Sequence, residues 1–579
     1  MGIHTVTKLL ELAPAYQQMA KSLRHATTLT RTQVIDEAVP FLLATLWKDL
    51  QVPILVICPS SEQSRTLEEN ISGWVETKDS VLRFGESDTL PFERLVTDSE
   101  TSQQRIHTLF QLTKKDNSPP IVIASAAAMC QTTIQREIFE NNSQTLRKGD
   151  EITIEDISLY WQEMGYAFQP TVGSPGEASR RGGILDIYPL SSEYPFRIEL
   201  WGDEIDSIRT FDPNSQRSIE EVESMEVIPA RETLPTLIDL EKVDRLLSRI
   251  DLSNCTKEET QRINGEIDLL LDGHDIEDLG LFAGFFNHGN LLDYFPHEGL
   301  VAIYRPENVA GAAWDIEERV QQLRHVKENR GELPYNFPSN HLAWRALESS
   351  IEDRARRLLI MPWGADDLVV QDMHIMPFSS PPTYRGDVDS MANEAETFVE
   401  RGGSFIASTA HSKRLGELFS EKNIPYSVSK NMSATPKNGT ITLIQTGTEN
   451  IGKGFVVNNP ERRFILLGDS EIFGRTKQRR SARRQTARRE AFFDEISPGD
   501  YVVHVEHGIA RFTGTGKRRE KVSQSGGDSQ EYLILEYFQG DRLYVPLDHL
   551  DRVAPYVAPM ERAPSLTRLG TQEWNRVKS

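Results

Sequence analysis

Three apolar and aromatic runs near the C-terminus constrain the fold of this chain more than any other feature. Tyr501-Val-Val-His504 passes through His507-Gly508 into Ile509-Ala-Arg-Phe512; Glu531-Tyr-Leu-Ile-Leu-Glu-Tyr537 and Asp541-Arg-Leu-Tyr-Val-Pro-Leu547 follow. Their β-branched and aromatic content is that of strands, and Gln539-Gly540-Asp541 has the composition of a hairpin turn. Each run must bury one face against another. About 55 residues of this kind have room for a small barrel and little else.

The remainder is long enough for several further cores. At 579 residues, with 38% apolar residues, the chain is expected to hold roughly four domains of ~100–200 residues each. Apolar stretches such as Val52-Pro-Ile-Leu-Val-Ile-Cys58 have the length of a strand, well short of the ~20 residues of a membrane span. The N-terminal residues lack the layout of a signal peptide, and Val6 stands where a myristoylation motif needs Ser or Thr. Cys58, Cys130 and Cys255 are odd in number and far apart. They fit a reducing compartment, and they exclude a disulfide framework or a four-cysteine zinc site. A soluble, cytoplasmic protein is expected, with no membrane partner.

A net charge of −22 argues against wrapping nucleic acid indiscriminately, but binding needs only a local basic surface. One such run exists. Arg475–Arg489 carries eight Lys or Arg in fifteen residues and no acid, with Arg479, Arg480, Arg483 and Arg484 at its centre. Three readings stay open for it: a solvated linker, a DNA-phosphate contact, or a contact with an acidic protein surface.

Pattern divides the chain as follows. Residues 1–146 alternate helices and strands, with Leu9–Leu50 mostly helical in period, Val52–Cys58 a buried strand, and Val81–Phe84 and Ile121–Ala124 further strands. That alternation predicts a parallel sheet covered on both faces. Residues 147–230 read as a small α+β insertion with strands Gly182–Tyr188, Phe196–Trp201 and Glu204–Phe211, the last two joined by Gly202-Asp203. Residues 231–370 return to helices with a strand at Gly299–Tyr304. Residues 376–474 form a further α/β domain, 475–496 a basic linker, 497–558 the barrel, and 559–579 the start of a helical connection.

Candidate chemical motifs fail on their context. Gly447-Thr-Glu-Asn-Ile-Gly-Lys453-Gly454 has the spacing of a phosphate loop, but Gly454 replaces the magnesium-ligating Ser or Thr. Phe455-Val-Val-Asn-Asn-Pro460, which follows, cannot supply a helix N-terminus for phosphates. Asp469 and Glu471, after Phe464-Ile-Leu-Leu-Gly468, then read as a strand-end turn rather than a metal site. His504-Val-Glu-His507 lies in a β context and lacks the helical H-E-x-x-H spacing of a zinc protease. No catalytic constellation, metal site or cofactor site is expected in this chain.

Binding features are better defined. In Phe196-Arg-Ile-Glu-Leu-Trp201 a period of two turns Phe196, Ile198 and Leu200 to the core and Arg197, Glu199 and Trp201 outward. An outward Trp beside Arg has the composition of an interface hot spot, and equally of a Trp laid flat over its neighbours. Arg180-Arg181, just before the first strand of that module, adds to the surface. In the barrel, Lys517-Arg-Arg-Glu-Lys521 extends a strand with charge, which suits a guarded edge or one offered to a partner sheet.

With those residues in view, nearly the whole chain resembles the N-terminal part of the bacterial transcription-repair coupling factor family. The first third is similar to that family's UvrB-homology module in Phe84-Gly-Glu-Ser-Asp-Thr-Leu-Pro-Phe92, Gln104-Arg-Ile-His-Thr-Leu-Phe110 and Arg181-Gly-Gly-Ile-Leu-Asp-Ile-Tyr-Pro189. Most specific is Tyr194–Asp212; the H-G turn and L-Y-V-P strand of the barrel are similarly specific. The resemblance implies a multi-domain α/β architecture: a degenerate helicase-like parallel domain with an inserted α+β domain, a further α/β domain and a small Tudor-like β-barrel.

It implies function as well. UvrB has a working phosphate loop near its N-terminus, yet the corresponding slot, around Arg24–Arg31, has neither Gly nor Lys, and the stretch after Phe84 lacks UvrB's Tyr-rich hairpin. The module looks like a mimic that keeps a docking shape. In the family that shape recruits UvrA, and the matching residues are Arg181, Arg197 and Trp201. The barrel pairs an edge strand with the RNA polymerase β subunit; here that strand is Thr515, Gly516, Lys517, Arg518, Arg519 and Glu520, with Arg518 at a position where the family favours an aliphatic residue. The family continues into a motor that hydrolyses ATP with Mg and moves on double-stranded DNA, and Leu566–Lys578 is similar to the connection leading there, so the sequence is expected to be part of a longer protein. The alternatives are a UvrB-like protein that binds damaged DNA and a repair ATPase using Gly447–Lys453.

Overall fold

Ile54–Cys58 contains no charged or hydroxyl-bearing side chain, and all five of its residues are buried. A strand that is apolar on both faces belongs inside a parallel sheet with helices on either side. The computed structural model places it there. It describes residues 4–25, 29–87, 89–94, 99–114, 118–276, 278–363, 373–429, 436–445, 451–459, 462–474, 499–504, 508–518, 530–538, 542–546 and 553–555. The chain divides into two compact units, Met1–Arg475 and Thr476–Ser579.

The first unit opens with β1 (Leu29–Gln33), β2 (Ile54–Cys58), β3 (Val81–Phe84) and β4 (Ile121–Ser125). The chain then leaves this sheet for β5 (Gln144–Arg147), β6 (Ala167–Phe168), β7 (Glu177–Arg181), β8 (Ile184–Ile187), β9 (Phe196–Trp201), β10 (Glu204–Phe211), β11 (Ser218–Glu221) and β12 (Ser224–Val227). It returns with β13 (Leu300–Tyr304), β14 (Arg356–Met361) and β15 (Met373–Ile375). The resulting seven-stranded sheet has the order β15-β1-β14-β13-β2-β4-β3 and is parallel at every pairing. One domain is therefore assembled from segments on either side of an insertion.

Three of its strands, β1, β14 and the short β15, escape the reading by pattern. Leu9–Leu50 is not helical throughout: helices Pro14–Arg24 and Val39–Leu50 flank β1. The inward face of β1 is built from Thr30 and Thr32, both buried, and the Thr32 hydroxyl donates to the His374 carbonyl of β15 at 2.9 Å. An inward face made of threonines leaves no apolar alternation to detect. In β14, likewise, Arg356 and Arg357 precede the apolar residues and mask the strand.

The insertion is a six-stranded sheet of order β11-β10-β9-β8-β7-β6, attached through the antiparallel pair β5 and β12. Helix Ile154–Glu163 starts where the Thr153 side chain accepts from the Asp156 amide, an N-cap that satisfies a free helix-end donor. Its Ile157 and Trp161 pack with Leu185, Ile198 and Ile208 from one face of the sheet. The other face carries Asp186, Arg197, Glu199 and Trp201.

Residues 376–474 contribute β16 (Phe378–Ser379), β17 (Ser404–Thr409), β18 (Ser427–Ser429), β19 (Ile441–Gln445), β20 (Phe455–Asn458) and β21 (Arg463–Leu467), ordered β16-β20-β21-β17-β19-β18. One face has its own core around Met391, Phe405, Phe419 and Leu443. The opposite face merges with the first domain. Phe41 lies 4.9 Å from both Trp74 and Phe455 between ring centroids, and 6.2 Å from Phe378 and Phe464. The Trp74 indole N–H donates to the Ile451 carbonyl at 3.3 Å.

The second unit contains β22 (Tyr501–His504), β23 (Gly508–Arg518), β24 (Gln530–Glu536), β25 (Arg542–Pro546) and β26 (Val553–Pro555). They form an antiparallel sheet of order β25-β24-β23-β22-β26. Val502, Ala510, Phe512, Leu533, Leu535, Tyr537 and Val545 make its core, with every second residue of β24 inward as strand geometry requires. Among the described residues no helix is long and apolar enough to cross a membrane.

Candidate docking surfaces

Two glycine turns create the outward face of the insertion. Gly182 (φ 60°) and Gly202 (φ 66°) each take the first place of a two-residue hairpin loop, where a positive φ favours glycine. Both tips lie at one end of the sheet, since the Leu200 amide donates to the Gly183 carbonyl at 3.0 Å. Arg181 ends β7 and Trp201 ends β9. Arg180 and Arg181 thus belong to a strand rather than preceding the first one. Glu177-Ala-Ser-Arg-Arg181 has one apolar residue, so its pairing with β8 is not visible in its pattern.

Register then sets which side chains share the outer face. Arg181 lies opposite Ile184, Asp186 opposite Arg197, Glu199 opposite Ser207, and Trp201 opposite Glu204. The expected division of β9 holds for Phe196 and Ile198, which are buried, while Leu200 is half-buried. Trp201 is 84% exposed; it is not laid flat into a pocket. Arg197 grips Asp186 with two hydrogen bonds, Nε to Oδ1 at 2.7 Å and Nη2 to Oδ2 at 2.9 Å. Its guanidinium carbon stands 4.7 Å from the centroid of the Phe211 ring, within cation–π range. The hydrogen bonds that Arg197 donates to Asp186 push its pKa upward. Arg181 approaches the same carboxylate at 4.0 Å, and Arg209 pairs with Glu199 at 3.2 Å. The structure thus brings Arg181, Arg197 and Trp201 onto one face of one sheet, with Arg181 and Trp201 at the hairpin end and Arg197 near the start of β9.

Where a phosphate loop would stand, the chain places carboxylates. The slot is not Arg24–Arg31, which precedes and enters β1. In a parallel α/β domain the loop follows the strand and opens a helix, and here that turn is Val34–Ala38, between β1 and helix Val39–Leu50. It has no Gly and no Lys, and it carries Asp36 and Glu37. Asp36 accepts from the Tyr304 hydroxyl at 2.7 Å and is ion-paired with Arg305. Two acids at a helix N-terminus take the place an anion would occupy.

At the second phosphate-loop candidate carboxylates again accept from the protein's own donors. Residues 447–450 of Gly447–Gly454 lie outside the described residues, but the segment after it is strand β20, antiparallel to β21. The Gly454 and Gly468 amides both donate to Oε2 of Glu471, at 3.0 and 2.9 Å, and Glu471 is 5% exposed. Asp469 accepts from the Thr409 hydroxyl and from the Ala410 amide. Asp469–Phe473 is a short helix whose carboxylates satisfy the protein's own donors. Titrating a fluorescent ATP analogue into the chain is expected to give no saturable signal up to about 1 mM, a ceiling of roughly 4 kcal/mol of binding. Micromolar saturation abolished by Lys453→Ala would overturn this. His504 ends β22, and Glu506 and His507 lie outside the described residues.

In the second unit β23 changes partners along its length. Its first residues pair with β22 as far as Arg511, and Phe512 exchanges hydrogen bonds with Gly499 and Asp500. The register shifts between Phe512 and Gly514, where Gly514 adopts φ 132°; such a bulge bends a strand out of its sheet. Beyond it, Thr515, Gly516, Lys517 and Arg518 pair with Leu533, Tyr532, Glu531 and Gln530 of β24. Among the described residues no strand pairs with their other side. Arg519 and Glu520 lie outside the described residues, as do Arg479, Arg480, Arg483 and Arg484 of the basic run.

These two surfaces coincide with two recognised domains. Residues 145–232 match the UvrB interaction domain, and residues 496–557 match the CarD-like/TRCF RID domain. Curated relatives agree along the chain. The transcription-repair-coupling factor of Bacillus subtilis (strain 168) is 26% identical over 92% of this chain and 46% of its own length. Those of Staphylococcus aureus (strain bovine RF122 / ET3-1) and Staphylococcus haemolyticus (strain JCSC1435) are each 25% identical, over 99% and 97% of this chain and 49% and 48% of theirs. The chain spans about half the length of the curated relatives it matches. Nearly end to end, then, the chain is similar to transcription-repair-coupling factors, and within that similarity lie its matches to the UvrB interaction domain and the CarD-like/TRCF RID domain.

Proposed function

We propose that this chain is a docking scaffold of transcription-coupled nucleotide-excision repair, holding RNA polymerase through one domain and UvrA through another. One observation carries the reading. The chain pairs an exposed Trp–Arg face in its UvrB interaction domain with an open-sided strand in its RID domain, while carboxylates fill both candidate phosphate sites. It works through surfaces rather than through a nucleotide pocket.

In this reading Arg181, Arg197 and Trp201 meet UvrA. The open side of β23 at Thr515–Arg518, with Arg519 and Glu520 next in sequence, adds to a sheet of the polymerase β subunit, as an unpaired strand edge can. The five-stranded sheet closes as a Tudor-like barrel around its core. Arg479, Arg480, Arg483 and Arg484 supply a salt-sensitive contact to DNA phosphates or an acidic protein surface. The full-length protein is a helicase-like, ATP-dependent translocase on double-stranded DNA that displaces stalled polymerase at lesions, with ATP and Mg bound in its motor and not here. The setting is the cytoplasm.

The test is binding of the purified chain to purified UvrA and to a polymerase β fragment. Charge reversal across Lys517, Arg518 and Arg519 is expected to weaken polymerase binding by about tenfold or more, as loss of steering and of edge complementarity requires, and to leave UvrA binding unchanged. Unaltered polymerase affinity would move that contact elsewhere.

A further inference from the structure

The insertion contains a buried carboxylate that the docking reading does not use. Asp186 sits in the middle of β8, 2% exposed, on the outer side of the sheet. Its two oxygens receive the two forks of Arg197 from β9, and Arg181 of β7 reaches Oδ2 at 4.0 Å. Asp186 is thus the one acid between the two arginines of the proposed contact, with one partner on each neighbouring strand.

The far side of Arg197 is fixed as well. Its guanidinium lies over Phe211, which with Val172 and Tyr188 forms a small buried cluster separate from the main core of the insertion. A planar guanidinium held at its edge by a carboxylate and on its face by a ring has lost most of its rotamer freedom before any partner arrives. The Arg197 Nη1 donates to the Gln216 carbonyl at 3.5 Å, and 19% of the side chain stays exposed to a partner.

We infer that Asp186 is a positioning residue of the docking face: it acts through Arg197, setting the guanidinium plane that a partner's acceptor meets. The inference rests on the UvrA reading for its biological partner. Its physical content, a fork held in one orientation by Asp186, does not. A held side chain binds more tightly because the ordering entropy is already spent, and a bidentate fork gives geometry that a point charge cannot.

The experiment uses the whole chain with Asp186→Asn, Arg197→Ala, Arg197→Lys and the Asp186→Asn/Arg197→Ala double variant. Affinity for purified UvrA is measured alongside the rate of phenylglyoxal modification of Arg197, read by mass spectrometry without any partner. Asp186→Asn is expected to weaken UvrA binding by about tenfold and to speed modification by a similar factor. In the Arg197→Ala background it should change affinity by less than about twofold, because residues acting through one contact are not additive. Arg197→Lys, which leaves Asp186 in place, should bind nearly as weakly as Arg197→Ala.

Losses that multiply in the double variant would overturn the inference, as would an Arg197→Lys variant that binds like the parent. If Asp186→Asn fails to fold, the lysine variant still decides the matter. If the parent chain does not bind UvrA, the docking reading falls, and unchanged modification of Arg197 in Asp186→Asn would sink the positioning role separately.

Discussion

Replacing Arg197 and Trp201 together by alanine is expected to lower affinity for UvrA by about 1,000-fold, with polymerase binding unchanged. The magnitude follows from two anchors of the type that cost about 2 kcal/mol or more each when truncated at an interface centre. Trp201 presents its ring at the end of β9 with 84% of its surface free, so its removal takes away contact area without hollowing a core. Arg197 is different, because its loss strands the buried Asp186 carboxylate. The double variant should therefore be checked for an intact insertion by its thermal transition. A chain that folds and still captures UvrA would relocate the site.

The second large effect concerns the join between the first sheet and residues 376–474. Phe455→Ala is expected to destabilise the first unit by about 3–5 kcal/mol, the usual cost of emptying a buried aromatic site. Phe455 is fully buried among Phe41, Trp74, Phe378 and Phe464, with ring centroids 4.9–6.2 Å away. Residues from both sheets contribute to this cluster, so the loss should lower the unfolding temperature of the two sheets together. Differential scanning calorimetry of the chain would show it. Destabilisation confined to one transition, with the other unmoved, would mean the two sheets fold independently.

A structural arginine illustrates why the insertion sits firmly on its host. Arg105, almost fully buried, donates from Nε and Nη2 to the two oxygens of Glu232 at 2.6 and 2.9 Å and from Nη1 to the Gly85 carbonyl at 2.9 Å. Its guanidinium also lies 3.9 Å from the centroid of Phe84. Glu232 follows the return strand of the insertion, while Arg105 belongs to helix Ser99–Thr113 of the parallel domain. Residues 127 apart in sequence are locked by one fork. The Gln104–Phe110 stretch matched the family by sequence, but what Arg105 does there depends on a partner that only the fold supplies.

Local pattern made several elements readable in advance. Ile54–Cys58 is apolar at every position, and the β9–β10 hairpin combines period-two alternation with a Gly202-Asp203 turn. Each signal is contained in fewer than about twenty residues, the range over which periodicity operates. Strands β1 and β14 were not readable, since the inward face of one is threonine and the other opens on two arginines. β1 finds its partners β14 and β15 more than about 300 residues later, and β14 is placed only by lying between β1 and β13. The same separation misplaced the degenerate phosphate slot: without β1, the turn Val34–Ala38 could not be recognised as the one following a parallel strand.

From the residues alone came the outward direction of Arg197 and Trp201 and the absence of a helix after Gly454, where a strand follows, because each depends on the chemistry of adjacent positions. The fold decided the rest: that Arg181 shares a face with Arg197, that Asp186 holds them from the strand between, and that Glu471 fills the amides of Gly454 and Gly468. Register and chain return bring these groups together, and both are set by long-range pairing, to which a short window of sequence is blind.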